Sequence, residues 1–181
     1  AMMNTVLAQH ITAGYVVVYL DDVVIHSKTY EDHLRHLDAV LASLQDQALH
    51  VKLSKCSFAQ PTTKFLGFVI SKDGIATDPD KIAALANYQL PDNITSVRAF
   101  LGFTGFYRRF IRDYAKIAAP LTDLTKTTTS FPKKLPPAAI HAFNALKTAL
   151  TTAPVLIIPD TSPDATFTLY TDACETGVGA V

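Results

Sequence analysis

At 181 residues, with 49% apolar and 18% charged side chains, the chain has room for one domain with a real core, or for two or three small lobes. A formal net charge of zero excludes a uniformly basic nucleic-acid binder, so any such role needs an uneven charge distribution. No apolar run approaches the ~20 residues that span a bilayer, and no basic-then-apolar leader is visible.

Residues 15–20 (YVVVYL) and 23–26 (VVIH) are β-branched runs separated by Asp21 and Asp22, which predicts a tight hairpin. Residues 31–48 place Leu34, Leu37, Val40, Leu41, Leu44 and Ala48 at helical spacing on one face. Glu31 and Asp32 fall in the first turn, where the helix dipole favours acids. Short strands are expected at 50–53, at 56–59 and along KFLGFVIS (64–71), the last ending in a Lys72-Asp73-Gly74 turn. Nine of the ten prolines lie beyond Asp78, which places a boundary there.

Residues 79–88 predict a short helix with Pro79 in its first turn. Residues 96–114 predict a longer one, with Val97, Phe100, Leu101, Tyr107, Phe110 and Ile111 on one face. Thr104 and Gly105 fall on that face, and small residues there let another backbone approach. Gly102 and Gly105 each cost such a helix ~1 kcal/mol relative to alanine. A third helix at 137–152 carries Ala142, Phe143, Leu146 and Leu150, followed by strand-like VLIIPD (155–160) and TFTLYTDA (166–173). TKTTTSFPKKLPP (125–137) reads as a linker. Charge is indeed uneven: the window 98–116 holds Arg98, Arg108, Arg109, Arg112 and Lys116 against Asp113 alone.

Two adjacent carboxylates in an apolar hairpin repel each other and resist desolvation. A divalent cation with oxygen ligands compensates both effects, and Mg²⁺ typically works with one or two carboxylates plus substrate phosphates. A plain solvated Asp-Asp turn is the alternative, and the dipeptide alone leaves both open. His26, His33 and His36 lack the cysteines or carboxylates that complete a zinc set. Cys56 and Cys174 have no metal-type spacing and read as free thiols of a reducing compartment.

The context of the pair carries more. VVVYLDDVVIHS resembles the YxDD hairpin of reverse transcriptases. Upstream, Met3, Asn4, Val6 and Leu7 resemble the helix before that hairpin in gypsy-class long-terminal-repeat retrotransposons. Downstream, HLRHLDAVLASL, LSKCSF, KFLGFVIS, VRAFLGFTGFYRRFI, KIAAPLTDLTK, AFNALKTALTTAPVL and LYTDACETGVGAV occur in that family's order, so the resemblance covers essentially the whole chain.

The resemblance implies an α+β fold in four parts. Residues 1–77 are the C-terminal part of a right-hand polymerase palm, an antiparallel sheet plus helix. Residues 78–124 are a helical thumb, 125–164 a linker and connection, and 165–181 the start of an RNase H-like hairpin. Asp21 and Asp22 are then two of three catalytic carboxylates that hold Mg²⁺ or Mn²⁺. Tyr19 and Leu20 lie near the primer end and the incoming sugar, and Lys55 matches a lysine that assists the pyrophosphate leaving group, the alternative being a solvated surface charge. Phe65, Leu66 and Gly67 match the primer grip. Arg108, Arg109 and Arg112 track template-primer phosphates, with Phe103, Phe106, Tyr107 and Phe110 between them expected in the core. Asp172 stands at the first RNase H metal position, beside the Gly177/Gly179 pattern. Two departures are Cys174, where the family often has serine, and SFPKKL, which lacks the usual aromatic before the connection helix.

The implied function is RNA-directed DNA polymerisation by two-metal nucleotidyl transfer, with a linked RNase H. The implied partners are an RNA template, a DNA primer, deoxynucleoside triphosphates and the rest of a polyprotein: fingers, remaining RNase H, integrase and protease. No membrane partner is implied, and the setting is a cytoplasmic particle or the nucleus. Residues 1–20 contain no acid, so the third carboxylate is expected upstream of Ala1, and the chain alone is expected to be inert in both reactions, with an open sheet edge that favours association. The alternative is a decayed or co-opted standalone remnant that binds nucleic acid or protein. An RNA-dependent RNA polymerase is disfavoured, because Gly-Asp-Asp is typical there and an RNase H-like segment follows here.

Overall fold

The computed structural model describes residues 2–126, 131–159, 164–175 and 177–180. The linker segment 127–130, Asp160 of VLIIPD and the side chain of Cys174 lie outside what is described.

Two short helices, α1 (Met2–Val6) and α2 (Ala8–Thr12), lead into the β-branched runs, which pair as β1 (Val16–Tyr19) and β2 (Asp22–Ile25). Val16 opposes Ile25 and Val18 opposes Val23, and this face packs with Leu7, Val40 and Leu44 in a small core. The supporting helix α3 (Tyr30–Asp46) starts at Thr29, whose hydroxyl accepts from the Asp32 amide at 3.1 Å. Its apolar stripe is wider than the face it buries: Val40 and Leu44 are buried, whereas Leu34 and Leu41 are exposed. It stops at Asp46 because Ala48 turns left-handed, at φ +54°.

The strands expected at 50–53 and 56–59 do not form. Leu53–Lys55 is a 3₁₀ turn, and Leu53 is 73% exposed, so there is no second face to bury and no partner strand. KFLGFVIS is not one strand but a hairpin, because Leu66 and Gly67 both take positive φ (+50° and +80°) and reverse the chain. The result is an antiparallel sheet of β3 (Thr62–Phe65), β4 (Phe68–Ser71) and β5 (Gly74–Thr77), with Lys72 and Asp73 as the second turn.

Asp78 caps α4 (Pro79–Ala86), accepting from the Asp80 amide at 3.0 Å. Helix α5 (Ile94–Phe106) begins with a reciprocal Asn93–Ser96 cap. The single helix expected over 96–114 ends early. Tyr107 leaves the helical path, Arg108–Phe110 winds as a 3₁₀ turn, and Asp113 at φ +54° redirects the chain into α6 (Tyr114–Asp123). The small residues of α5 receive a side chain and not a backbone. The Tyr114 hydroxyl lies 3.1 Å from the buried Thr104 hydroxyl, and a Cβ on Gly105 would sit 3.4 Å from it. Helix α7 (Pro137–Thr151) buries Ala142, Phe143, Leu146 and Leu150 as expected. Its Phe143 ring lies 4.5 Å from Phe100, in a large core that α4, α5, α6 and α7 share with Phe68 and Ile75 of the sheet.

Among the described residues of VLIIPD, Leu156 alone pairs, exchanging two 2.8 Å backbone bonds with Ile75. This requires Gly74, because a Cβ there would overlap the Leu156 carbonyl. In TFTLYTDA, Phe167, Leu169 and Tyr170 are exposed, and the strand begins only at Thr171: β6 (Thr171–Cys174) pairs with β7 (Gly177–Ala180).

Candidate functional site

The first hairpin turns through Leu20 and Asp21, one residue earlier than an Asp-Asp tip, so Asp22 opens β2 opposite Tyr19. Opposed residues share a face, so Asp22, Tyr19, Val17 and Val24 lie on the side away from the small core. Asp21, Asp22, Tyr19 and Leu20 are all exposed. Leu20 is held at φ +52°, a left-handed conformation that costs a side chain-bearing residue about 1 kcal/mol or more.

The base of this hairpin is fastened by polar contacts that the sequence pattern did not single out. The Tyr15 ring stacks on His36 of α3, with centroids 3.7 Å apart and planes at 5°. Ser27, just past β2, shares a 2.7 Å hydrogen bond with His36 Nδ1. The Tyr15 hydroxyl hydrogen-bonds to the buried His10, whose Nε2 shares a 2.7 Å bond with Ser43. His36 therefore serves packing and hydrogen bonding, and His33 Nδ1 lies 3.4 Å from the same Ser27 hydroxyl. Among the described residues no group of three or more histidines, cysteines or acids comes together as a metal set.

The second hairpin and the arginine turn meet. The Tyr107 hydroxyl donates to the Gly67 carbonyl at 2.7 Å, and Phe68 stacks on Phe106 at 5.0 Å. The Arg109 guanidinium lies 5.8 Å from the Phe68 ring centroid. Arg108, Arg109 and Arg112 are exposed in the turn after α5 rather than along a helix. Tyr107 and Phe110 are buried as expected, but Phe106 is 52% exposed, because it packs against the turn at the sheet's edge and not into the helical core. Phe65 is half-buried, Leu66 exposed, and Lys55 exposed in its 3₁₀ turn. Burial pushes the Tyr107 phenol up, and the nearby Asp78 carboxylate adds to this while a backbone contact with Asp78 opposes it. Lys64 bonds Asp78 at 3.0 Å and also Asp80; its hydrogen bond holds the Asp78 carboxyl below the usual range, and the two acids raise the lysine. Asp172 is exposed on β6 opposite Gly179, accepting from the Ala173 amide at 3.0 Å.

Comparison with known proteins decides the family. Residues 1–70 match the family model described as reverse transcriptase (RNA-dependent DNA polymerase), and residues 136–181 match an RNase H-like domain found in reverse transcriptase. The Pol polyprotein of the Drosophila melanogaster transposon gypsy is 40% identical over 174 residues, 91% of this chain and 17% of that protein. The chain belongs to the reverse transcriptase–RNase H family of retrotransposon Pol polyproteins.

The chain spans less than a fifth of the length of the transposon polyproteins it matches. An uncharacterised mitochondrial protein of Arabidopsis thaliana is 42% identical over 129 residues, 70% of this chain and 80% of that one. Among solved structures, a foamy viral protease–reverse transcriptase in complex with double-stranded DNA superposes with a TM-score of 0.80, over 88% of this chain and 28% of that one, at 24% identity. That likeness establishes the α+β fold. The match to the RNase H-like domain starts at residue 136, ahead of α7.

Proposed function

We propose that this chain forms part of the template-primer site of an RNA-directed DNA polymerase: palm segment, thumb and entry to RNase H. The observation that carries the reading is the Tyr19-Leu20-Asp21-Asp22 hairpin, with both carboxylates exposed on a tip whose base is fastened by Tyr15, Ser27 and His36. The donor chemistry fits Mg²⁺ or Mn²⁺, hard ions that take one or two protein carboxylates plus phosphate oxygens. Asp21 and Asp22 would hold the ion, which when bound supplies Lewis acidity at the primer hydroxyl and neutralises phosphate charge. Tyr19, on the same face as Asp22, and Leu20 at the tip present the surface on which the primer end and incoming deoxynucleotide rest. Asp172 serves the RNase H site in the same way. The matched families, and the nucleic acids bound in the foamy viral structures, support this reading.

Arg108, Arg109 and Arg112 offer bidentate contacts to duplex phosphates beside the Leu66–Gly67 turn. Binding of an RNA/DNA hybrid by the chain should therefore weaken steeply with salt, with a slope reduced by about one for each arginine replaced by alanine. With two carboxylates and no third in reach among the described residues, the chain alone should not extend a primer. In the full polyprotein enzyme, Asp21→Asn or Asp22→Asn should lower Mg²⁺-dependent extension by at least ~100-fold. Extension by the isolated chain that Asp21→Asn abolishes would overturn the two-carboxylate account. The Arabidopsis relative, of which this chain covers most, favours a second reading, a standalone remnant. Absence of salt-dependent hybrid binding would support it.

A further inference from the structure

We infer that Tyr107 is a positioning residue whose hydroxyl fastens the Leu66–Gly67 turn to the Arg108–Arg112 turn, so that the two grip one duplex as a single unit. This rests on the duplex binding proposed above. Tyr107 is 2% exposed and directly precedes the 3₁₀ turn, so its backbone belongs to the arginine segment. Its phenol oxygen reaches the other segment, donating at 2.7 Å to the carbonyl of Gly67, the second residue of the β3–β4 turn. The two segments lie forty positions apart in the chain.

The rest of the junction is aromatic. Phe68 lies 5.0 Å from Phe106 and 6.0 Å from Phe110, and Arg109 lies over the Phe68 face. Stacked rings attract strongly but tolerate sliding, so they hold the turns together without fixing their register. The directional Tyr107–Gly67 bond fixes it. A phenylalanine at position 107 would satisfy the packing, and a hydroxyl this deep is costly unless paired. Gly67 permits the close approach, since a Cβ there would come within 3.2 Å of the Phe106 ring.

The test is a double-mutant cycle on the full chain, read as affinity for a labelled DNA primer annealed to a longer RNA template. Leu66→Ala and Arg108→Ala should combine to a loss about fivefold away from the product of their single losses. In a Tyr107→Phe background the same two losses should multiply, and Tyr107→Phe alone should weaken binding roughly tenfold. A Tyr107 that serves only packing would change the melting temperature and leave the cycle as it was, which overturns the inference while leaving duplex binding intact. Absence of salt-dependent binding by the unaltered chain overturns the duplex reading and the coupling together. Hydrogen exchange supplies a check that needs no Tyr107 variant. The duplex should protect amides at 66–68 and 108–112 together, and Arg108→Ala should remove protection from both. Protection kept at 66–68 overturns the coupling.

Discussion

Leu20 and Leu66 each open a two-residue hairpin turn with positive φ, a place that favours asparagine or glycine. Strain kept at a surface position needs a reason other than stability, and both leucines stand at tips proposed to face the primer. Leu66→Asn, beside Gly67, should therefore raise stability by about 0.5–1 kcal/mol in urea titration while weakening hybrid binding in the same sample. A variant that gains stability and keeps full affinity would remove Leu66 from the interface. Gly74 shows the opposite logic. Its φ of +132° and its contact with the Leu156 carbonyl leave no space for a methyl group. Gly74→Ala should cost about 2 kcal/mol or more, and exchange of the Ile75 and Leu156 amides should quicken first, since their paired bonds must open.

At the scale of elements, the sequence revealed what periodicity controls and hid what single dihedrals control. The hairpin of residues 16–25, the start of α3 and the buried face of α7 follow from β-branching, first-turn acids and 3.6-residue spacing. The division of 96–114 into α5, a 3₁₀ turn and α6 does not. The apolar pattern runs on through Tyr107, Phe110 and Ile111, all buried, while Asp113 turns the backbone without a glycine to announce it. The adjacency of Asp21 and Asp22 was legible as a candidate site, but the bond from Tyr107 to a main-chain carbonyl has no side-chain signature at its other end. The Lys64–Asp78 pair joins β3 to the cap of α4 and carries a pH signature. The Asp78 carboxyl titrates lower in the folded chain than in the unfolded one, so its stabilisation is present above about pH 4 and is lost as pH falls further. Lys64, raised in the fold, loses its share only as pH climbs past the ordinary lysine range, above about 10. Lys64→Met should flatten the fall in melting temperature between about pH 5 and 2. An unchanged acid limb would show that the pair is solvated and idle.

At the scale of the molecule, the proposed grip and the proposed chemistry rest on different cores. The aspartate hairpin stands on a small cluster of Leu7, Val16, Val40 and Leu44, whereas the arginine turn and the second hairpin stand on the larger cluster around Phe100, Phe143 and Leu146. The two clusters have no buried residue in common. Burial of apolar surface is the main stabilising term, so the smaller cluster should open at lower cost. Urea should then unfold the chain in two steps, with amides of β1, β2 and α3 exchanging before those of α5 and α7. Val40→Ala should move the first step alone. Phe143→Ala should move the second by about 3–5 kcal/mol, because it empties a ring-sized space beside Phe100. A single transition with coincident exchange would show that the clusters fold as one. The sequence of steps also predicts how a duplex stabilises the chain. A hybrid held only by the arginine turn would raise the second step, because a ligand stabilises the state that binds it. A hybrid that also reaches the Tyr19–Asp22 tip would raise the first step too, and would do so more with Mg²⁺ present if Asp21 and Asp22 hold the ion. Urea titrations with hybrid alone, and with hybrid plus Mg²⁺, therefore separate a thumb-like clamp from a surface that carries primer to the carboxylates.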